Sequence, residues 1–164
     1  MTIIIKNKDT LEYNEFIFKC CVGKYGFSKK KIEGDKKTPI GTFSLSNIYY
    51  RSDRKIKPFT KLKSIKIKKN MVWCHDLQSK KKYNKLITRN TKLRHEKLFR
   101  RDYKYDYLIP IKYNWTSPVI GKGSAIFIHL TKNYKPTAGC IGLSEKDFLI
   151  LIKLLKKNTK IKIL

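Results

Sequence analysis

The stretch SAIFIHLTKNYKPTAGCIGLSEKD, residues 124–147, gives the clearest indication of local structure in the chain. It opens with an apolar run that contains His129, and such a run bounded by turn residues is typical of a buried strand. A polar turn follows and leads to Cys140 and a second, shorter apolar run. Ser144 is followed by the acidic residues Glu145 and Asp147, a pattern typical of a helix N-terminus. The stretch therefore predicts a strand, a turn and a helix that hold one histidine and one cysteine in a fixed arrangement.

Short apolar segments separated by turn residues predict further strands on both sides of this stretch. They lie at residues 3–5, 12–20, 42–50, 64–68, 107–113 and 160–164. The helix after Ser144 is expected to end near Lys157, because its apolar residues recur at helical spacing up to that point. Residues 76–106 are dense in Lys, Arg, Asn and Tyr and predict an irregular basic insertion with a short helix over residues 96–101. The pattern favours a mainly β fold, a β-sandwich or open barrel with one helix near the C-terminal end covering an opening.

The composition fits one folded domain over residues 1–164, and a chain of this length can bury a sizeable core. Lys and Arg number 39 against 12 Asp and Glu, which gives a formal charge of +27. Such a surface attracts anionic partners, whether nucleic acid, anionic lipid or a carboxylate-rich polymer. An A+T-rich coding sequence would produce the same excess of Lys over Arg, so the charge alone does not identify the partner.

The sequence contains no apolar run long enough for a membrane span and no visible signal-peptide core. Its four cysteines lack the spacing of a disulfide framework, and free thiols are expected. The run from Trp73 to Asp76, even together with His95, lacks the spacing of a zinc site, so neither a metal nor another cofactor is expected.

Cys140 and His129 form a candidate nucleophile and base. A thiol with an ordinary pKa of about 8.5 needs a neighbouring imidazole to take its proton. Gly139 would let the backbone turn sharply and present N–H groups to a developing oxyanion. A helix N-terminus beyond the cysteine would favour the thiolate. On spacing alone, a structural cysteine and a hydrogen-bonded core histidine remain the alternative.

Several motifs in sequence order resemble those of the YkuD-type L,D-transpeptidase catalytic domain, in its compact stand-alone form. Ile126-Phe127-Ile128-His129 with residues 136–143 resembles the catalytic signature of that family. Residues 33–43, EGDKKTPIGTF, resemble its early Gly-Asp-x-x-Thr-Pro-x-Gly loop, and residues 50–54 resemble a motif of a compact subfamily. The resemblance covers about residues 18–164, and ordered motifs over that length are a specific signal.

The resemblance implies a cysteine-dependent acyltransferase that acts on peptidoglycan stem peptides through a thioester. Cys140 would be the nucleophile, His129 the base, and the backbone carbonyl of Leu130 would orient the imidazole. Backbone N–H groups at Gly139 and Cys140 would form the oxyanion hole. If water replaces the acceptor amine, the same site would act as an L,D-carboxypeptidase, and no cofactor is needed in either case.

The resemblance also implies substrate-binding positions in the early loop and around the cysteine. These are Thr38, Pro39, Gly41, Thr137, Ala138 and Gly142. Ala138 stands where many relatives have a second histidine, and Gly142 where many have arginine or asparagine. Both small residues are expected to leave the donor site more open than in those relatives.

Two other classes of function stay open at this stage. The first is a nucleic-acid-binding module, for which only non-specific binding through Lys and Tyr is expected. The second is a wall-binding domain that has lost its catalytic activity. The carboxylates of Glu96, Asp102 and Asp106 are expected to be ion-paired rather than catalytic. The protein is expected to be a monomer of the cell envelope or periplasm by its substrate class, with the cytoplasm left open by the lack of a visible signal peptide.

Overall fold

The computed structural model describes residues 1–90 and 92–164, in which one α-helix accompanies many short strands. The strands are β1 (Thr2–Ile5), β2 (Thr10–Tyr13), β3 (Phe16–Cys21), β4 (Phe27–Ser28), β5 (Thr38–Pro39), β6 (Gly41–Ser44), β7 (Ile48–Tyr50), β8 (Ser64–Lys66), β9 (Met71–Cys74), β10 (Lys85–Thr88), β11 (His95–Lys97), β12 (Tyr107–Pro110), β13 (Phe127–Leu130), β14 (Ile141–Leu143) and β15 (Lys160–Ile163). The helix α1 spans Glu145–Leu154. No helix in the described residues is long and apolar enough to cross a membrane.

The main sheet has ten strands in the order β6-β15-β1-β2-β3-β14-β13-β12-β7-β8. Strand β6 forms one edge, yet only residues 45–47 separate it from β7 near the other edge. The sheet must therefore curl and bring the end of β6 to the strands near the opposite edge. Hydrogen bonds close the gap, since Lys112 N–H donates to the Ser44 carbonyl and Ser46 N–H donates to the Pro110 carbonyl, each at 2.9 Å. The predicted mainly β fold of the open-barrel type is confirmed.

The core lies inside this curled sheet, and α1 covers it. In β1 and β15 every second residue is buried, as expected for strands with one face toward a core. The helix buries Phe148, Leu151 and Ile152, and full burial of each such side chain contributes roughly 1.5–3 kcal/mol. The Ser144 side chain caps the helix by accepting a hydrogen bond from Asp147 N–H at 3.1 Å.

Three sequence-based expectations are wrong in detail. The helix ends at Leu154 and not near Lys157, because Leu155 adopts an extended backbone conformation. Residues 12–20 form two strands of a hairpin, with Asn14 at φ 54° in the turn, where asparagine tolerates the left-handed region. The segment at residues 42–50 is likewise split between β6 and β7.

The basic insertion is also more ordered than the sequence indicates. Strands β10 and β11 flank β9 in a three-stranded antiparallel sheet, and residues 96–101 contain no helix. This second sheet packs on the first through aromatic rings. The Trp73 ring meets the Phe127 ring edge-on with centroids 5.1 Å apart, and Tyr105 contacts Phe127 at 5.7 Å. The insertion therefore forms a wall beside the end of β13.

Candidate active site

A cavity of about 550 Å³ opens between the end of β13, the turn before β14 and the second sheet. Five of the catalytic and substrate-binding residues predicted from the sequence line it, namely His129, Leu130, Thr137, Ala138 and Cys140. The register between β13 and β14 pairs Ile128 with Ile141 and His129 with Gly142. Cys140 therefore continues β14 at a position diagonal to His129, on the same face of the sheet. The topology thus brings the candidate nucleophile and the candidate base into one cavity wall.

His129 is held as a neutral base. Its Nδ1 lies 2.9 Å from the Leu130 carbonyl oxygen, so Nδ1 carries the proton and donates it, and Nε2 is left as the acceptor. The imidazole is buried, and burial lowers the pKa of His129 to about 4, although the Leu130 carbonyl acts in the opposite direction. The Tyr105 ring packs edge-on against the imidazole at 5.6 Å between centroids.

The Cys140 thiol is buried and hydrogen-bonded to the backbone. Its Sγ donates to the Ala125 carbonyl at 3.2 Å and accepts from Phe127 N–H at 3.4 Å. Burial, and next the negative charge of Glu96, raise the pKa of the Cys140 thiol to about 12. No hydrogen bond joins the thiol to His129 in the described residues. The resting pair therefore consists of a thiol and a neutral imidazole.

The expectation that a helix N-terminus favours the thiolate is wrong for this arrangement. Strand β14 lies between Cys140 and α1, so the helix begins at Glu145, beyond the strand. The dipole of a helix acts mainly within its first turn and falls off beyond it. Burial therefore dominates the pKa of the thiol.

The turn before the cysteine is fixed by the Thr137 hydroxyl, which accepts from Gly139 N–H at 3.0 Å and donates to the Cys140 carbonyl at 2.6 Å. Gly139 has a φ of +133°, and a Cβ there would lie 2.8 Å from the Lys37 carbonyl oxygen, so only glycine fits. Because the Gly139 N–H is already engaged, it is not free for an oxyanion in this state. The Cys140 N–H makes no hydrogen bond to another described residue and remains available.

The early loop supports this turn from behind and does not line the cavity. The buried Thr38 hydroxyl donates to the Gly139 carbonyl and accepts from Gly23 N–H, both at 2.9 Å. Pro39 follows Thr38 in β5, and Gly41 pairs with Ile163 in the main sheet. Of the described residues, the early-loop residues predicted to bind substrate are thus absent from the cavity wall.

Ala138 and Gly142 occupy different environments, although both were expected to open the donor site. Ala138 lines the cavity. Gly142 lies in β14 and pairs with Cys21 of the neighbouring strand β3. A Cβ at Gly142 would lie 2.6 Å from Cys21 Sγ and 3.3 Å from Thr131 Cβ. The small size of Gly142 is therefore a packing requirement, and the structure gives it no place in the cavity wall.

The cavity also contains charged residues that sequence reasoning did not assign to the site. Lys31 is buried, and its Nζ lies 2.6 Å from Asp35 Oδ1. The Lys31 side chain packs against Gly123, where an added Cβ would lie 2.7 Å from Lys31 Cε. The Asp35 carboxylate also accepts from Ile32 N–H and Lys37 N–H. In the sequence, only Gly34-Asp35 of the early loop indicates this arrangement. Gly123, which makes room for the Lys31 side chain, is distant in the chain.

A second charged group comes from the insertion. The Tyr105 hydroxyl donates to Glu96 Oε1 at 2.5 Å, and Arg100 approaches the same oxygen at 3.7 Å. Arg100 also pairs with Asp102 at 2.6 Å, and Arg54 pairs with Asp106 at 2.5 Å. The expected ion pairs are therefore present. Glu96 differs from the two aspartates because it lines the cavity.

No group of three or more His, Cys, Asp or Glu side chains in residues 1–90 and 92–164 is placed to hold a metal ion. The arrangement that remains is a buried thiol, a neutral imidazole fixed by a backbone carbonyl, and a free backbone N–H at the cysteine. This set of groups can carry out nucleophilic acyl transfer.

Comparison with known families agrees with this chemistry. Residues 1–163 match the family model YkuD, described as an L,D-transpeptidase catalytic domain. The chain therefore belongs to this family of catalytic domains. No curated protein matches the chain.

Two solved structures share the fold. The helical cell shape determining protein Pgp2 from Campylobacter jejuni aligns with a TM-score of 0.53 at 17% identity over 99% of this chain and 46% of Pgp2. Its K307A mutant aligns with a TM-score of 0.51 at 18% identity and the same coverage. The chain thus spans less than half the length of Pgp2, and at these identities the likeness concerns the fold alone.

Proposed function

We propose that this chain is a cysteine-dependent acyltransferase in which Cys140 forms a thioester with a peptidoglycan stem peptide. One observation carries the proposal, namely that the Cys140 thiol and the His129 imidazole line the same cavity while the Leu130 carbonyl leaves His129 Nε2 free to accept a proton. The unit is proposed to be a single catalytic domain and a monomer in the cell envelope.

In the first half of the reaction, Cys140 Sγ attacks the carbonyl of an L-centred diamino acid that is followed by D-alanine. His129 Nε2 takes the thiol proton, and the Cys140 N–H receives the developing oxyanion. The tetrahedral intermediate then breaks its C–N bond, and His129 returns the proton to the leaving D-alanine. Because the thiol has a pKa of about 12 and the imidazole one of about 4, a free thiolate is rare. The proton therefore moves as the sulfur attacks.

In the second half, an amine of another stem peptide or a water molecule attacks the thioester. An amine gives a crosslink and water gives a shortened stem peptide, so the acceptor decides between transpeptidase and carboxypeptidase. Lys104, Lys135 and Arg100 line the cavity and suit the carboxylates of stem peptides. Thr137 and Ala138 lie next to the cysteine in the same wall.

Incubation with a disaccharide-tetrapeptide followed by mass spectrometry tests the proposal. We expect a crosslinked dimer, a tripeptide or both, and a transient adduct on the protein that maps to Cys140. Cys140→Ala, run in parallel, should give no adduct and no product. Product formation by Cys140→Ala at more than a few per cent of the parent rate would overturn covalent catalysis by this thiol.

A further inference from the structure

Glu96 is the one acidic residue of β11, and it belongs to the lining of the cavity that holds His129 and Cys140. The chain has only 12 acidic residues against 39 basic ones, yet this carboxylate lines the same cavity as the nucleophile. Its side chain keeps 31% of its surface exposed, and it belongs to the cavity lining. A carboxylate in this position opposes formation of the Cys140 thiolate, which is the wrong effect for a group that serves the first half of the reaction.

The surroundings of Glu96 leave one of its oxygens free. The Tyr105 hydroxyl donates a hydrogen bond to Oε1, and Arg100 lies 3.7 Å from the same oxygen. Oε2 makes no hydrogen bond to another described residue. The other ionisable groups that face the carboxylate are His75 and Glu33, together with the Cys140 thiol. Burial raises the pKa of Glu96, so the carboxylate binds a proton more readily than an exposed one does.

We propose that Glu96 is a further catalytic residue, which binds the attacking acceptor through Oε2 and takes a proton from it in the second half of the reaction. This inference rests on the proposed function, because it requires a thioester at Cys140. It assigns the two halves to different bases, with His129 serving the thiol and Glu96 serving the acceptor. A group near the thioester with a raised pKa is suited to general-base work.

The proton balance is complete with these groups. An acceptor amine arrives as an ammonium ion, and Glu96 takes one proton and leaves the neutral amine. The amine nitrogen attacks the thioester carbonyl, the C–N bond forms and the C–S bond breaks. The second amine proton passes through His129 to the departing Cys140 sulfur, and Glu96 releases its proton to solvent. With water as acceptor, Glu96 takes one proton as the oxygen attacks, the C–O bond forms and the C–S bond breaks. The remaining proton of that oxygen passes through His129 to the Cys140 sulfur and leaves a carboxylate product.

Glu96→Gln separates the two halves, because it keeps the shape of the side chain and removes the base. We expect Cys140 to be acylated by the disaccharide-tetrapeptide at least as fast as in the parent, since a negative charge near the thiol is lost. Transfer to the acceptor should slow by about 10²- to 10⁴-fold, as for loss of a general base. The thioester should therefore accumulate in the intact-protein mass spectrum, and Glu96→Asp should restore part of the transfer rate.

Glu12→Gln is the matched control, because it makes the same chemical change at a carboxylate that pairs with Lys6 and lies outside the cavity lining. Its transfer rate should stay within about twofold of the parent, as for a surface substitution away from the site. Equal transfer rates and no accumulated thioester in Glu96→Gln would overturn the inference while leaving the proposed function intact. Absence of both a thioester and any product in the parent and in Glu96→Gln would instead overturn the proposed function.

Tyr105→Phe gives an independent test that does not depend on the folding of Glu96→Gln. It keeps the ring that packs on His129 and removes the hydroxyl that stabilises the Glu96 carboxylate. The pKa of Glu96 should then rise further, and the acidic limb of the transfer rate should move to higher pH. If the pH dependence of the transfer rate in Tyr105→Phe matched that of the parent, Glu96 would not be the base.

Discussion

The Thr38 hydroxyl donates a hydrogen bond of 2.9 Å to the carbonyl of Gly139, and the two residues are 101 positions apart in sequence. The same hydroxyl accepts from Gly23 N–H, so it joins the strand region around residue 23, the early loop and the cysteine turn. Because Gly139 precedes Cys140, this contact fixes the backbone that carries the thiol. The early loop thus holds the cysteine turn in place through the backbone of Gly139, and Thr38 does not itself line the cavity.

Thr38→Val should destabilise the protein and lower its activity. The change keeps the shape of the side chain but leaves a buried carbonyl and a buried N–H without partners, at a cost of about 1–3 kcal/mol each. Urea denaturation measures the loss. Thr42→Val is the control, because Thr42 is exposed in β6 and valine is favourable in a strand. A Thr38→Val protein as stable as the control would show that the contact contributes little.

Cys140→Ala should abolish product formation, with a loss of about 10⁴- to 10⁶-fold, as expected for a nucleophile that acts as one unit with its base. His129→Ala should be similarly severe, and the double variant no worse than either single one. The thiol is buried and makes two backbone hydrogen bonds, so a stability loss of about 1–2 kcal/mol is also expected. Turnover assays and denaturation curves separate the two effects.

Cys74→Ala is the proper thiol control for that experiment. Cys74 is buried in β9 and is not part of the cavity lining. Cys21 is a poor control, because it lines the cavity and its Sγ packs against Gly142. Loss of turnover in Cys74→Ala without loss of folding would contradict the assignment of the reactive thiol.

The pH dependence of acylation follows from the lowered pKa of His129. The imidazole is neutral above about pH 4, whereas an exposed histidine would be protonated below about pH 6.5. The rate at which a carbapenem acylates Cys140 should therefore not fall between pH 8 and about pH 5, and should fall as the pH approaches 4. Intact-protein mass spectrometry at a series of pH values measures this rate. A limb near pH 6.5 would indicate an ordinary, solvent-exposed imidazole.

The same environment predicts slow alkylation of Cys140 by iodoacetamide. Thiolate is the reacting form, and a thiol with a pKa of about 12 supplies very little of it at pH 7.5. Cys140 should react more slowly than a free cysteine in a peptide, for which the pKa is about 8.5. Mass mapping of the alkylated sites over time checks this, and rapid labelling at Cys140 would show that the thiolate is stabilised.

Gly142→Ala should be destabilising for steric reasons alone. The new Cβ would lie 2.6 Å from Cys21 Sγ, closer than side chains tolerate, and overpacking of this kind typically costs about 1–3 kcal/mol. Removing the sulfur should relieve the clash, so Cys21→Ala combined with Gly142→Ala should be more stable than the sum of the single effects predicts. Additive losses in the double-mutant cycle would refute this packing argument.

The sequence was most informative where one local pattern determined one local structure. The run that contains His129 and the capped helix after Ser144 were both recognised, because hydrophobic spacing and capping chemistry are local. The second sheet is not predicted, because β10 and β11 are short, β11 consists of polar residues alone, and both become strands only by pairing with β9. The role of Gly142 was equally hidden, since Cys21 comes to lie against it only in the folded chain.

Strand β15 lies between β6 and β1, and it pairs in parallel with β1 near the other end of the chain. Residues 160–163 thus occupy an interior place in the sheet although they come late in the sequence. During synthesis on the ribosome, β1 and β6 lack their shared neighbour until nearly all of these 164 residues have been added. Contacts between such distant residues form slowly, so completion of the barrel is expected to be a late step in folding.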